Sequence, residues 1–327
     1  MLKKLMGCVR EYKKVSKLTP ILMIGEVVME CLIPFVIAKL VGQIEAGCEF
    51  TVIVKYGLIL FAMACVSMFF GGLAGMTGSK ASCGFARNLR HDLYYRIQEY
   101  SFENIDKFSA SSLVTRLTTD VANVQMSFMM LIRIAIRSPL MFIFAIVMAF
   151  IMGGKMALMF VVVVPILGFG LFTVAKKAMP LFRSVFRKYD NLNASIQENV
   201  KGMRVVKSFV REEYEKEKFN RAAEDVCMDF TKAERIVAIN GPLMQFCLYA
   251  NMMLVLSFGS YLVISSKGSA MGVGQLSAMI TYGFMVLSSL MMLSMIFVML
   301  TISAESAERI VEVLEDQPSL TNPANPV

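Results

Sequence analysis

The sequence predicts an all-α membrane protein with six transmembrane helices and two long cytoplasmic helical hairpins. Three observations carry that reading. The chain is markedly apolar, with 56% hydrophobic residues and a mean hydropathy of +0.61, beyond what an ordinary soluble domain shows. It contains six runs that approach the roughly 20 apolar residues a helix needs to cross a bilayer. Its basic residues also gather in alternate segments between those runs.

The six runs are 18–41, 52–78, 138–152, 156–175, 236–265 and 271–302. The first is too long for a cleaved leader and contains Glu26 and Glu30. Only Gly153, Gly154 and Lys155 separate the third from the fourth, so those two form a tight helical hairpin. In the fifth, Asn240-Gly241-Pro242 predicts a kink, because proline removes a backbone donor.

Charge sets the orientation. Residues 1–19 hold 6 Lys and Arg, residues 79–137 hold 8 and residues 176–235 hold 14, so 28 of 33 fall in three segments. The alternate loops carry little beyond Glu45, Glu49, Lys155 and Lys267. The positive-inside rule places both termini and both long segments in the cytoplasm. Topology thus accounts for the net charge of +8, and no nucleic-acid recognition motif accompanies it. The seven cysteines form no CxxC, and His91 is the single histidine. That excludes a familiar zinc site and a Ser/His/Asp or Cys/His catalytic set.

The two long segments have helical patterning. Leu113, Leu117, Val121, Val124, Phe128 and Leu131 recur at steps of three and four, as do Leu89, Leu93, Ile97 and Tyr100. Tyr189, Leu192, Ile196, Val200, Met203, Val206 and Val210 do the same. Each segment reads as a helix leaving the membrane, a break and a helix returning. Half of each gives a reach of roughly 40 Å. In the first break, "SFENIDKFSASS", Ser101 and Ser109 are helix N-caps. In the second, the stripe fails after Val210 and Arg211-Glu212-Glu213 intervenes. Both tips are expected to expose aromatics: Phe102 and Phe108 in one, Phe209 and Tyr214 in the other.

Polar groups within the spans are candidate substrate contacts. Glu26 and Glu30 lie four apart on one helix face. They either line a cavity for cationic ligands or pair with basic residues of a neighbouring helix. Arg133 and Arg137 either snorkel to lipid phosphate or pair with an acid. Gln245, Tyr249 and Asn251 on the fifth span, and Met285, Met292 and Met295 on the methionine-rich sixth, suit either a cavity wall or helix packing. Gly71, Gly75 and Gly78 favour close helix contact.

Three motifs then point to a family: "ASSLVTRLTTDVANVQ", "ENVKGMRVVKSFVREEYEKEKF" and "SAERIVEVLEDQP". With them the chain resembles the transmembrane domain of six-helix, domain-swapped ABC exporters. "FSASSLVTRLTTDV" followed by "RIAIRSPLM" is most similar to one half of the heterodimeric bacterial multidrug exporters. The resemblance implies a swapped dimer in the bacterial plasma membrane. It implies export of amphipathic, drug-like small molecules by alternating access, with lipid or peptide export as the alternative. It makes the two tips coupling helices that dock on nucleotide-binding domains. The first would be Glu103, Asn104, Ile105, Asp106, Lys107 and Phe108. The second would be Ser208, Phe209, Val210, Arg211, Glu212, Glu213 and Tyr214. Residues 1–17 would be a cytoplasmic segment, 18–316 the membrane domain and 317–327 a linker.

One feature departs from the family pattern. No GxxxxGK followed by Ser or Thr occurs, and "GMTGSK" sits at a helix end rather than on a strand-to-helix loop. ATP and Mg are therefore expected on an associated nucleotide-binding domain, not on this chain. The partners implied are that domain, a second transmembrane half, lipid and a small-molecule substrate. A secondary transporter has no evident need for two such rods, and a non-transporting scaffold stays open.

Overall fold

The computed structural model describes residues 2–266 and 271–318, and no strand occurs among them. The α-helices run α1 (Leu2–Gly7), α2 (Lys13–Glu45), α3 (Phe50–Gln98), α4 (Phe102–Phe108), α5 (Ala110–Thr115), α6 (Val121–Gly153), α7 (Leu158–Ser208), α8 (Glu212–Val237), α9 (Asn240–Ser265) and α10 (Val273–Glu315). Lys267 and residues 319–327 of the expected linker lie outside the described residues.

Five continuous helical stretches are long and apolar enough to cross a membrane. The third, Ala110–Phe182, contains two of the six expected runs, one in α6 and one in α7. The joint between them is a 3-10 turn at Gly154–Ala157, entered through Gly154 at φ 51 and ψ −123. Glycine reaches that backbone region without a Cβ clash.

The fifth run lies in the continuous stretch Glu212–Ser265, which is interrupted beside Asn240-Gly241-Pro242, where a kink is expected. α8 ends at Val237, Ala238 and Ile239 form a turn, and α9 begins afresh at Asn240. Pro242 sits in the first turn of α9, where its missing N–H costs no helical hydrogen bond.

The chain folds as two units, Met1–Phe160 with Asn251–Val327, and Val161–Ala250. In the first, the periodic residues of α3 and α6 converge as expected. Phe85, Leu89, Leu93, Leu113, Val121, Val124 and Phe128 are buried together with Ile310 and Val313 of α10. Phe85 and Phe128 stack at 4.5 Å. The N-terminal segment closes over this cluster through Leu5, Cys8 and Val9. Farther along, Tyr282 of α10 is fully buried and donates to the Cys31 carbonyl of α2 at 2.8 Å. Two of the three packing glycines do admit a neighbour: Gly71 faces the Glu26 carboxylate, and Gly78 faces Arg133 and Thr19. Gly75 faces open space.

The second unit is built from the greater part of α7, all of α8 and the start of α9. Phe182 and Phe230 pack edge to face at 6.2 Å. Lys188 pairs with Asp229 at 2.7 Å, and Asn199 donates to Glu215 at 2.8 Å. The apolar stripe of α7 is largely uncovered: Tyr189, Ile196, Val200, Met203 and Val210 are all exposed. Within its own unit α8 lies beside it.

Candidate functional site

The first tip is a seven-residue helix between two serine caps. The Ser101 N–H and hydroxyl both donate to the Asn104 side-chain oxygen, at 3.3 and 2.6 Å. The Ser109 hydroxyl accepts from the Ser112 N–H and starts α5. Ser109 itself has φ 58 and ψ 144, a region that costs a residue with a Cβ roughly 1–3 kcal/mol.

This tip is held by the far end of α10. Asn104 donates to the Asp316 carboxylate at 2.8 Å and to the Gln317 carbonyl at 3.0 Å. Lys107 pairs with Asp316 at 2.8 Å. The amine and amide beside it hold the Asp316 carboxyl below the usual carboxylate range. Tyr100 donates to the Val313 carbonyl at 2.8 Å and stacks on Phe108. Burial, reinforced by the Asp316 charge, pushes the Tyr100 phenol up to about 12.

Phe108 corrects an expectation. It is buried, with the Arg116 guanidinium 4.8 Å from its ring centre, and only Phe102 projects, at 87% exposure. Helix period cannot be read from seven residues, and Phe108 takes the face that closes on Tyr100. The outward face of this tip is Phe102, Glu103, Asp106 and Lys107, while Ile105 is half-buried and Asn104 buried.

The second tip has a different construction. α7 closes on Val210, whose N–H donates to the Lys207 carbonyl at 3.3 Å while that of Arg211 donates to the Val206 carbonyl at 3.0 Å. This pair of bonds ends a helix on a left-handed residue, normally glycine. Here it is valine at φ 53, a conformation costing a β-branched residue on the order of 1–2 kcal/mol. Phe209, Val210 and Tyr214 are all strongly exposed, as expected for two of them. Ser208 donates back to the Arg204 carbonyl, and Arg211 lies 6.0 Å from the Tyr214 ring centre. Glu212 and Glu213 fill the first turn of α8, where the helix dipole favours anions. Behind the tip, Ile196, Val200, Met203, Val206 and Phe219 line a groove of about 540 Å³, rimmed by Glu212, Glu215 and Lys216.

Within the apolar spans, Arg137 of α6 bridges the two acids of α2. It reaches Glu26 at 2.9 Å and Glu30 at 2.7 and 2.8 Å. Of the two sequence readings of Glu26 and Glu30, the structure takes pairing with a neighbouring helix. The other cavity candidates are divided between the two units. Gln245 donates to Tyr249 one turn on, on an exposed face of the second unit. Asn251 is buried against Gly283 in the first. Met292 and Met295 are exposed and Met285 is half-buried.

Several residues escaped the sequence reading: Asp120 and Arg116 on one side, Ser306, Arg309, Glu312 and Asp316 on the other. A signal for two of them was present. Arg116 and Asp120 lie four apart on the face that carries Leu113 and Val124, and charged groups on a buried stripe call for partners.

The fold thus defines an all-helical, multi-pass membrane protein whose helices extend into polar hairpins. The sequence profile of the ABC transporter transmembrane region matches residues 18–291, and the chain belongs to that family. It is 29% identical over 316 residues to an uncharacterised ABC transporter ATP-binding protein, YfiB, of Bacillus subtilis, covering 97% of this chain and 55% of that one. A similar protein of Mycobacterium tuberculosis is 27% identical over 318 residues, covering 97% and 54%. An ATP-dependent lipid A-core flippase of Aromatoleum aromaticum is 28% identical over 257 residues, covering 76% and 41%. The chain spans about half the length of the curated relatives it matches.

Proposed function

We propose that this chain is the membrane permease part of an ATP-driven exporter that moves amphipathic small molecules out of the cytoplasm by alternating access. The observation that carries the reading is the second tip: exposed Phe209 and Tyr214, with exposed Val210, around a turn followed by Glu212 and Glu213. An aromatic foot with an acidic flank suits a groove on an ATP-binding partner. ATP and Mg belong on that partner. The uncovered stripe of α7 supports a second transmembrane half that packs over it, as exchange of the fourth and fifth helices would require. The basic segments support an orientation with both termini in the cytoplasm of a bacterial cell.

A second reading, lipid export, is favoured by the flippase names among the relatives.

The test uses inside-out vesicles carrying the chain with its ATP-binding partner. ATP-driven uptake of a fluorescent cationic amphiphile is measured beside translocation of a labelled phospholipid. Charge reversal at Glu212 and Glu213 with Phe209→Ala should cut transport per ATP hydrolysed at least fivefold while the protein stays folded. Unchanged transport in that variant removes the coupling assignment, and lipid translocation without amphiphile uptake replaces the substrate class.

A further inference from the structure

We propose that Asp120 is the positioning residue of the first tip, latching it to the end of α10 so that residues 101–120 and 303–316 move as one piece. The Asp120 carboxylate is 1% exposed. Its Oδ1 accepts from the Ser306 hydroxyl at 2.9 Å and from Arg309 at 2.7 Å. Asn123 adds a donor to the same hydroxyl at 3.2 Å. One turn earlier, Arg116 donates to the Arg309 carbonyl at 2.6 Å and pairs with Glu312 at 2.9 Å. The ladder continues through Tyr100 to the Val313 carbonyl and through Asn104 and Lys107 to Asp316.

Three features make this a latch rather than scattered surface pairs. The rungs follow the end of α10 and its C-cap in register, at Ser306, Arg309, Glu312, Val313 and Asp316, at steps of three, three, one and three. The charges balance, with Asp120, Glu312 and Asp316 against Arg116, Arg309 and Lys107, so opening the ladder unpairs both sides at once. A π-helical turn spans Arg116–Asp120. Its wider register keeps two residues four apart on the same side, and such turns recur at functional sites. Two members of the ladder are buried, Asp120 at 1% and Arg116 at 9% side-chain exposure, while their partners Arg309 and Glu312 reach water at 46% and 51%, as does Lys107 at 55%. Water-exposed pairs give little energy each, so the ladder depends on its buried members, of which Asp120 is the deepest.

A helix of seven residues has little hold of its own. Its position is therefore set by α10, and a shift of the residues that follow Val313 carries the tip with it. At the second tip Phe209 and Val210 are instead 73% and 81% exposed. The two tips are then unequal parts, one slaved to its own chain and one presented outward.

Amide hydrogen exchange on the purified full chain in nanodiscs tests this without any transport reading. Arg309→Leu should speed exchange at least tenfold in both 102–108 and 303–316, leaving α9 unchanged. Arg309→Lys, which keeps the charge, should restore exchange to within threefold of the parent. Asp120→Asn should repeat the Arg309→Leu pattern. Because Asp120 is buried and its variant can fail to fold, the half-exposed Arg309 pair decides the matter. Faster exchange in 303–316 with 102–108 unchanged overturns the latch, as does an Arg309→Lys variant as loose as Arg309→Leu.

Discussion

Replacing Arg137 by methionine keeps the length and apolar stem of the side chain and deletes three charge-assisted hydrogen bonds to two acids. Glu26 is 8% exposed and its second oxygen already lacks a partner. After the substitution neither of its oxygens is bonded to arginine. Removing one member of a buried pair costs about 3–5 kcal/mol because the remaining charge is left uncompensated. Arg137 is 34% and Glu30 25% exposed at the side chain, so the lower end applies, about 3 kcal/mol. At about 2 °C or slightly less per kcal/mol for a chain of this size, the melting temperature in detergent should fall by roughly 5 °C. The neutral set Arg137→Met with Glu26→Gln and Glu30→Gln should regain most of that loss, since no bare charge remains. A melting temperature within about 1 °C of the parent for Arg137→Met would show that the triad is not a buried pair in this sense. A triple variant no better than the single would place the loss in packing instead.

Three more outcomes follow from the geometry. A Cβ at Gly274 of α10 would collide with the Ala38 carbonyl oxygen of α2, so Gly274→Ala should destabilise by about 1–3 kcal/mol by forcing those helices apart. Gly57→Ala, which meets nothing, should be neutral or gain up to about 1 kcal/mol in helix propensity, both read by thermal melts. Cys8 is buried and its thiol is pushed up to about 11, first by burial and then by Asp92. At pH 7.5 maleimide should label exposed Cys83 and Cys227 well before Cys8, as mapped by mass spectrometry, and Asp92→Asn should speed labelling of Cys8. The Asp316 carboxyl lies below its ordinary 3.8 through Lys107 and Asn104. A depressed acid stabilises above its unfolded value and loses that contribution as pH falls through the folded one. Protection of the Ile105 and Ser109 amides, corrected for intrinsic rates, should be flat from pH 8 to about 5 and drop only below about 4.

Much of this architecture can be read without coordinates because its signals are local. The steps of three and four from Leu113 to Phe128 fix a buried face, and Phe128 indeed stacks on Phe85. Ser101 and Ser109 announce their helices because a hydroxyl at a helix start has one obvious task. The adjoining Gly153 and Gly154 mark a joint that only a residue without a Cβ enters easily. What escapes is pairing over distance. Arg137 and Glu26 are 111 residues apart, and Asp120 and Ser306 are 186 apart; nothing local tells an acid which base it will meet. Phe108 departs from the sequence expectation for the opposite reason. Its helix is so short that one aromatic faces solvent and the other the core, with no periodicity to separate them.

The valine at position 210 also sets the leverage of the second hairpin. Glycine there would let the turn swing through both halves of φ space. A β-branched residue at φ 53 occupies one narrow well with a stiff χ1. If Phe209 is the foot proposed above, force on it would be delivered to the helix axis instead of being absorbed at the joint. α8 has 26 residues, about 39 Å of rigid rod, so a tilt of about 10° at one end sweeps the other through roughly 7 Å. On the proposed coupling role, a tilt of that size at the foot would carry Val237 through more than the width of a water molecule.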